Sequence, residues 1–273
     1  MENMSLKTFF FSGTQTTKKI VVSIAGELAK MAGGKTVKDL DFTLPETRRE
    51  IASFEKQDLV VAGVPVYAGR VPNVLLKYLR TVQGRGAAAV AVVVYGNRHY
   101  DDALAEWEDL LDAAGFKVIA AGAFIGEHSF SRILGGGRPD THDMEQITKF
   151  AGQIYEKLHT QDTTAPVAVP GARPYRPYYQ PRDRQGNPVS IVKVVPRTND
   201  NCIQCGLCAT LCPMGSIDPD ELSSITGICI KCCACIKNCP MEAKYFDDEN
   251  YLWHKQELEN AFSSPRREPE FFL

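Results

Sequence analysis

Nine cysteines lie between residues 202 and 239, and none occurs in the first 201 residues of this 273-residue chain. Eight of them form two copies of the pattern C-x2-C-x2-C-x3-C-P, namely Cys202, Cys205, Cys208, Cys212 with Pro213 and Cys229, Cys232, Cys235, Cys239 with Pro240. A secreted disulfide scaffold would spread its cysteines through a small domain. Local C-x2-C spacing in an intracellular chain indicates metal binding, and three thiolates at i, i+3 and i+6 can wrap one cubane iron–sulfur cluster.

A pair of structural zinc sites is the alternative, because zinc also binds cysteine thiolates. Zinc sites usually combine C-x2-C pairs across a longer gap, whereas here three cysteines follow one another at one spacing, twice. The pattern therefore predicts two [4Fe–4S] clusters and a role in electron transfer. Cys233 stands beside a ligand and should project away from its cluster as a bystander thiol; a replacement ligand or a redox-reactive thiol remains open.

Residues 197–249 resemble bacterial-type two-cluster ferredoxins, small α+β domains in which the fourth cysteine of each run binds the cluster of the other half. The resemblance implies one cluster on Cys202, Cys205, Cys208 and Cys239, and a second on Cys229, Cys232, Cys235 and Cys212.

Short apolar runs alternate with amphipathic stretches over residues 1–160, which predicts a doubly wound parallel sheet with helices on both faces. The valine-rich run over 87–95 is typical of a strand covered on both sides. The predicted strands lie near 7–11, 36–40, 58–63, 87–95 and 116–124, and the helices over 16–31, 71–82, 101–114 and 140–158.

A loop rich in hydroxyl groups, residues 12–17, joins the first strand to the first helix. Hydroxyls and free amides at a helix start favour a phosphate, and the loop has neither the dinucleotide fingerprint nor the Walker pattern. It resembles the loop of S/T-x-T-G-x-T type with which flavodoxins hold the FMN phosphate, except that Gln15 replaces the glycine. A loop of this kind is also explained by ordinary helix capping.

Two further loops, after the third and fourth strands, resemble those that flank the flavin ring in flavodoxins, where Tyr67 or Tyr100 could stack on the ring. The resemblance implies FMN and a five-stranded sheet of order 2-1-3-4-5. A flavodoxin-like fold without flavin, as in receiver domains, is the rival, but their acidic pocket is not evident. The candidate flavin-binding residues are Ser12, Gly13, Thr14, Gln15, Thr16, Thr17, Pro65, Val66, Tyr67, Ala68, Gly69, Tyr95, Gly96, Asn97, Arg98 and Tyr100.

The predicted order is a flavodoxin-like FMN-binding domain (1–160), a proline-rich linker (161–196), the ferredoxin domain (197–249) and a C-terminal helix and tail (250–273). Seven of the sixteen prolines fall in the linker, which should be extended and packed through its tyrosines. This order resembles the fused flavodoxin–ferredoxin iron–sulfur flavoproteins of anaerobes.

The cofactors predict an oxidoreductase that passes electrons between the two clusters and FMN, with ferredoxin-coupled reduction of a small organic acceptor at the flavin. A pure carrier between larger redox complexes and a redox-sensing module are the alternatives. Catalytic candidates are Arg98, His99 and Tyr100, with Arg98 facing either the flavin or Asp101 and Asp102. His128 follows the fifth strand and could face the flavin, but it is expected to be a loop histidine satisfied by hydrogen bonds.

Composition and charge limit the classes of partner that the chain is expected to bind, and they indicate its cellular compartment. The 31 basic and 33 acidic side chains give a net charge of −2, which argues against bulk nucleic-acid binding. The sequence contains no run of about 18 apolar residues, so no membrane span is expected. Its first residues do not have the pattern of a leader peptide. A cytoplasmic location and a redox protein partner, a ferredoxin or a larger complex, are therefore expected.

Overall fold

The computed structural model describes residues 4–160 and 165–273. Its strands are β1 (Ser5–Phe10), β2 (Val37–Asp41), β3 (Asp58–Pro65), β4 (Ala88–Tyr95), β5 (Lys117–Ile125), β6 (Arg197–Thr198), β7 (Lys244–Tyr245) and β8 (Glu270–Phe272). Its helices are α1 (Thr16–Met31), α2 (Leu76–Leu79), α3 (Ala103–Ala113), α4 (Thr141–Thr160), α5 (Leu207–Thr210), α6 (Ala234–Lys237) and α7 (Glu249–Phe262). Short 3-10 turns cover Pro45–Arg48 and Asn73–Leu75.

The main sheet has the order β2-β1-β3-β4-β5-β8, and its first five strands are parallel. The order 2-1-3-4-5 is that of the flavodoxin-like doubly wound fold, so the predicted topology is confirmed. Strands β3, β4 and β5 are buried on both faces, as their continuous apolar runs predict. The carboxyl ends of these parallel strands therefore meet at one edge, where a ligand of this fold binds.

Two apolar cores, one on each face, hold the helices to the sheet. Ile20 and Ile24 of α1 pack with Ile147 and Phe150 of α4 on one side. Trp107 of α3 fills the other side, and its indole N–H donates to the carbonyl oxygen of Ala62 (2.9 Å). Burial of these large apolar side chains is the main stabilising contribution to such a layered fold.

The helix predicted over 71–82 is shorter than expected, with only Asn73–Leu79 in helical turns. The amide of Val71 donates to the carboxylate of Glu106 (2.8 Å), which fixes Val71 outside any helix. Pro72 follows and begins the first turn, as its locked φ allows.

The C-terminal tail adds a sixth strand that the sequence did not predict. Strand β8 pairs antiparallel with β5 and covers the edge that β5 would otherwise expose. The Phe271 ring stacks on Phe150 (centroids 4.6 Å apart), and Glu270 accepts a hydrogen bond from the Tyr100 hydroxyl (2.8 Å). The end of the chain is thus part of the flavodoxin-like domain.

The described part of the linker is extended and lies along α3. Val167 is buried in the core on that side, and Arg173 pairs with Asp109 (2.9 Å). The fully buried carboxylate of Asp102 pairs with Arg176 and accepts hydrogen bonds from two linker amides (2.8 Å each). These charge-assisted bonds hold the pKa of Asp102 well below its usual range. Within the described residues, no helix is long and apolar enough to cross a membrane.

Candidate flavin and iron–sulfur sites

The backbone of the cysteine module repeats with its sequence. Three positions have a left-handed backbone in both halves: Gln204 and Lys231 (φ 54° each), Gly206 and Cys233 (75° and 60°), and Gly215 and Glu242 (59° and 50°). The sulfurs of Cys212 and Cys239 each accept a backbone N–H at 3.3 Å, from Ser216 and Ala243. Such N–H···S bonds adjust the reduction potential of a cluster, so the repeat extends to a feature that affects electron transfer.

The eight pattern cysteines line two separate cavities, each of which takes three from one run and the fourth from the other. The outer site contains Cys202, Cys205, Cys208 and Cys239. The inner site, whose cavity Cys233 also lines, contains Cys212, Cys229, Cys232 and Cys235. These are the two sets that the resemblance to two-cluster ferredoxins implies.

Each site has the four thiolates that a cubane cluster uses as ligands, one for each of its four irons. Burial raises the pKa of the inner thiols of Cys232 and Cys235, which disfavours their ionised form. Bound iron would supply the positive charge that keeps them as thiolates.

Cys233 has a left-handed backbone, and its sulfur has partners outside the set of four inner cysteines. Its sulfur lies 3.6 Å from the Tyr251 hydroxyl and 3.5 Å from the carbonyl oxygen of Lys231. It packs in a small apolar cluster with Phe246 and Tyr251, and burial raises its pKa to about 12. The role of Cys233 as a bystander thiol therefore stays a prediction.

The loop before α1 has free donors for an anion. In the first helical turn the amide of Lys18 donates to the Ser12 hydroxyl (3.0 Å), and the amides before it have no partner within the helix. The capping residue Gln15 makes no side-chain bond to the turn, and no acidic residue lies in it. Gly13, Thr14, Thr16 and Thr17 line a cavity that continues to the ends of β3, β4 and β5. This phosphate-loop cavity could therefore hold the phosphate of FMN.

The structure brings most of the predicted flavin residues together. The phosphate-loop cavity is also lined by Pro65, Val66, Tyr67, Tyr95 and Gly96, while Val66, Tyr67, Ala68 and Arg98 line a larger adjoining cavity. Ser12, Gln15, Gly69, Asn97 and Tyr100 line neither.

Three of the five residues that line neither cavity have partners elsewhere, and those partners explain their positions. The Ser12 hydroxyl accepts from the amide of Lys18 (3.0 Å) and so closes the loop. The Asn97 amide donates to the carbonyl oxygen of Phe262 (2.6 Å) and so holds the end of α7. Tyr100 is buried with its hydroxyl on β8, so it is not placed to stack on a flavin.

Of the remaining catalytic candidates, Arg98 lines the larger cavity and His99 does not. The Arg98 guanidinium pairs with Asp101 and lies over the ring of Tyr179 (5.2 Å to the centroid). Arg98 is thus paired with Asp101 and also lines the cavity, and its predicted orientation toward a flavin stays a prediction. His99 stacks on Tyr100 (centroids 4.8 Å apart) and is largely exposed.

The larger cavity, here called the interdomain cavity, has a volume of about 450 Å³, which is within the range of small-molecule sites. One wall comes from the flavodoxin-like loops. The other comes from the linker, the cysteine module and α7, through Tyr178, Tyr179, Gln180, Pro181, Val189, Ser190, Ile191, Val192, Ile230, Lys231, His254 and Leu258.

Two histidines in this cavity were not predicted as site residues. His128 lines both cavities, and its Nδ1 accepts from the amide of Phe130 (3.1 Å), so the proton of the neutral ring is on Nε2. Burial and neighbouring positive groups lower the pKa of His128 to about 3. Burial also lowers the pKa of His254 to about 4. No local pattern marks His254, because α7 lies far from the loops in sequence.

The cysteine module is fastened directly to the loop edge of the sheet. The Lys237 ammonium donates to the carboxylate of Glu127 (2.5 Å) and to the carbonyl oxygens of His128 (2.6 Å) and Ser131 (2.9 Å). Arg48 donates to the carbonyl oxygen of Pro213 (2.6 Å). These bonds place the inner site, not the outer one, against the flavodoxin-like domain.

Comparison with known proteins identifies part of the chain. Residues 195–218 match the Fer4 family, described as a 4Fe-4S binding domain. No curated protein matches the chain. Among solved structures, a flavodoxin from the domain Archaea is similar at 13% identity and a TM-score of 0.39, over 57% of this chain and 99% of that one. A flavodoxin of Streptococcus pneumonia TIGR4 is similar at 16% identity and 0.39, over 56% and 98%.

The flavodoxin-like assignment rests on the strand order of the sheet itself. With the match to a 4Fe-4S binding domain, the chain is a fusion of a flavodoxin-like domain and a ferredoxin-type module. Such a combination has a role in electron transfer.

Proposed function

We propose that the chain is an oxidoreductase that holds FMN and two [4Fe–4S] clusters, accepts electrons from a redox protein, and reduces an organic acceptor at the flavin site. When bound, the clusters would relay single electrons and FMN would exchange one or two, which couples one-electron to two-electron chemistry.

The contact between the inner site and the phosphate loop carries this proposal. A Cβ atom placed on Gly13 would stand 3.1 Å from the Cβ of Cys232 and 3.6 Å from its sulfur. The Tyr67 hydroxyl lies at the same point, 3.7 Å from that Cβ position. The inner cysteine site and the proposed flavin site therefore share a wall, as a path for electrons requires.

The residues that would hold the cofactors follow from the two pairs of cavities. Thr14, Thr16 and Thr17 would bind the phosphate with the free amides of the loop. Val66, Tyr67 and Ala68 would flank the ring from the loop after β3. The outer and inner sites would each hold one cluster through four thiolates.

The outer site is the proposed entry for electrons. Cys205 is exposed, and apolar side chains around it, Ile203 (61% exposed), Leu207 and Met241, are exposed as well. An exposed apolar surface of this kind suits contact with a partner protein. We infer that a ferredoxin or a larger redox complex binds here.

A small acceptor is favoured over a second protein at the flavin end, because the linker and α7 cover the interdomain cavity there. Reduction of a double bond takes two electrons, delivered singly by the reduced partner, and two protons from solvent. A pure carrier would instead deliver its electrons to another protein.

Cofactor analysis tests the proposal first. Anaerobically purified protein should contain about eight iron and eight sulfide per chain, and the extracted flavin should be FMN rather than FAD. Stopped-flow oxidation of the reduced protein by small organic acceptors should then be fast for one chemical class. Uniformly slow oxidation, except by protein partners, would support the carrier, and absence of flavin would refute the proposal.

A double substitution tests the phosphate site. Thr14→Ala with Thr17→Ala should weaken FMN binding, because hydrogen bonds to a charged group contribute about 1.5–3 kcal/mol each. Thr148→Ala is the matched control, since this exposed hydroxyl donates only to its own helix at Met144. Unchanged FMN affinity in the double variant would move the phosphate elsewhere.

A further inference from the structure

The interdomain cavity has a wall that a flavodoxin-like domain alone does not supply. Residues 178–181 and 189–192 of the linker, with His254 and Leu258 of α7, face the loops that would flank the flavin. The amide of Tyr179 donates to the carbonyl oxygen of Ala68 (2.9 Å), which ties this wall to the loop after β3. The interdomain cavity therefore extends from the loops that would flank the flavin to residues of the linker and α7.

Positive charge dominates the lining of this cavity. Among the described residues, its charged side chains are Arg98 and Lys231, and no aspartate or glutamate lines it. Arg98 is paired with Asp101, whereas the buried ammonium of Lys231, which also borders the inner site, donates only to the carbonyl oxygens of Val192 and Cys229. A negative charge here would be stabilised most where water is excluded.

The cavity also offers hydrogen-bonding groups that the protein leaves unused. The Nε2–H of His128 has no acceptor among the described residues, and His254, only 5% exposed, makes no hydrogen bond to any of them. The Nδ1 of His254 is buried without a partner. Buried polar atoms are nearly always paired in folded proteins, so the His254 ring, which lines the cavity, keeps hydrogen-bonding capacity that no described residue uses.

Flat rings define the shape of the space. The His254 ring stacks on Tyr179 (centroids 5.6 Å apart, 23° between planes), and Phe130 meets His254 edge-on at 6.3 Å. Ile191 and Leu258 complete an apolar side. Aromatic walls of this kind favour a flat, conjugated ligand.

We propose that the interdomain cavity binds a planar organic anion beside the flavin position. This inference rests on the function proposed above and gives the chemical class of its acceptor, a conjugated molecule with a carboxylate or an equivalent acidic oxygen. His254 and His128 hold its oxygen atoms, and the cationic lining selects its charge.

Calorimetric titration of the anaerobically purified full chain with benzoate and with benzamide tests the site. The two probes have nearly the same shape and differ in charge. Benzoate should bind at least about tenfold more tightly than benzamide, which corresponds to 1.4 kcal/mol. Benzoate should also perturb the flavin absorbance saturably. Equal affinity for the two probes, or binding of neither, would overturn the inference.

Substitutions locate the binding. His254→Leu should weaken benzoate binding about tenfold at unchanged iron and flavin content, and His254→Gln, which keeps a hydrogen-bonding group, should weaken it less. His142→Leu, at an exposed histidine of α4, is the control and should bind as the parent does. Parent-like affinity in His254→Leu would overturn the site. Calorimetry needs no flavin, so loss of flavin would count against the proposed function alone.

Discussion

The outer and inner cysteine sites have the same local geometry and opposite surroundings. In the outer half Ile203 is 61% exposed and Cys205 is exposed, whereas their counterparts Ile230 and Cys232 pack against the flavodoxin-like domain. The left-handed backbone recurs in both halves. The repeated pattern therefore specifies how each site is built, while docking of the cysteine module on the flavodoxin-like domain specifies what each site faces.

Removing one cysteine from each site should have the largest effect and should separate the two roles. Cys205→Ala and Cys232→Ala should each lose about half of the iron and sulfide, because each removes one ligand of a cubane. Cys205→Ala should keep FMN, whereas Cys232→Ala should also weaken it, since Cys232 packs on Gly13. Iron, sulfide and flavin analysis measures both. Full iron in Cys232→Ala, or flavin loss confined to Cys205→Ala, would contradict the assignment.

Loosening the docked module should expose the inner site alone. Lys237→Met leaves Glu127 without its partner and should lower the free energy of docking by about 2–3 kcal/mol, since both side chains are largely buried. A chelator should then remove iron from the inner site about 30- to 150-fold faster, with the outer rate unchanged. Lys255→Met, which breaks a more exposed pair with Glu259 (3.6 Å), is the control. Equal acceleration at both sites would refute selective docking.

Acid should lower the free energy of unfolding through His128 and His254, the two histidines of the interdomain cavity. The folded pKa values of His128 and His254, about 3 and about 4, lie below the ordinary 6.5, so the unfolded chain binds more protons. The contribution of these histidines to the free energy of unfolding is therefore fully present above about pH 6.5, and it is lost as the pH drops toward these values. Allowing for partial solvent screening, the loss should be about 1–2 kcal/mol by pH 5.

Urea unfolding at pH 7, 6 and 5 measures this loss. The variant with His128→Gln and His254→Gln should lose less stability than the parent over this range, and His159→Gln, at an exposed position, should behave as the parent does. An identical pH dependence in the double variant would show that other groups are responsible.

Single substitutions at the equivalent residues Gly206 and Cys233 should have the smallest effect. Gly206→Ala puts a side chain on a residue with φ 75° and should cost about 1 kcal/mol. Cys233→Gly relieves similar strain but removes a buried sulfur, so the net change should be below about 1 kcal/mol, with both clusters kept. Thermal unfolding and iron analysis check both variants. Loss of a cluster in Cys233→Gly would make Cys233 a ligand.

The sequence by itself was enough to predict the cysteine half-sites, the parallel sheet and the hydroxyl-rich loop. Each of these features depends on residues that are neighbours in the chain. Three thiolates three residues apart form a half-site wherever the module lies. Continuous apolar runs such as β4 are buried in any fold that contains them. The predicted flavin residues that line neither cavity, such as Asn97 and Tyr100, are held by residues of the distant C-terminal segment.

Tertiary structure decided which cysteine site meets the phosphate loop, how the linker docks, and that the tail forms β8. It also brought His254 of α7 opposite His128 in one cavity. These contacts join residues about 70 or more positions apart, and their stability comes from burial and charge pairing across the assembled surface. No local periodicity records such partners, so only the folded chain shows them.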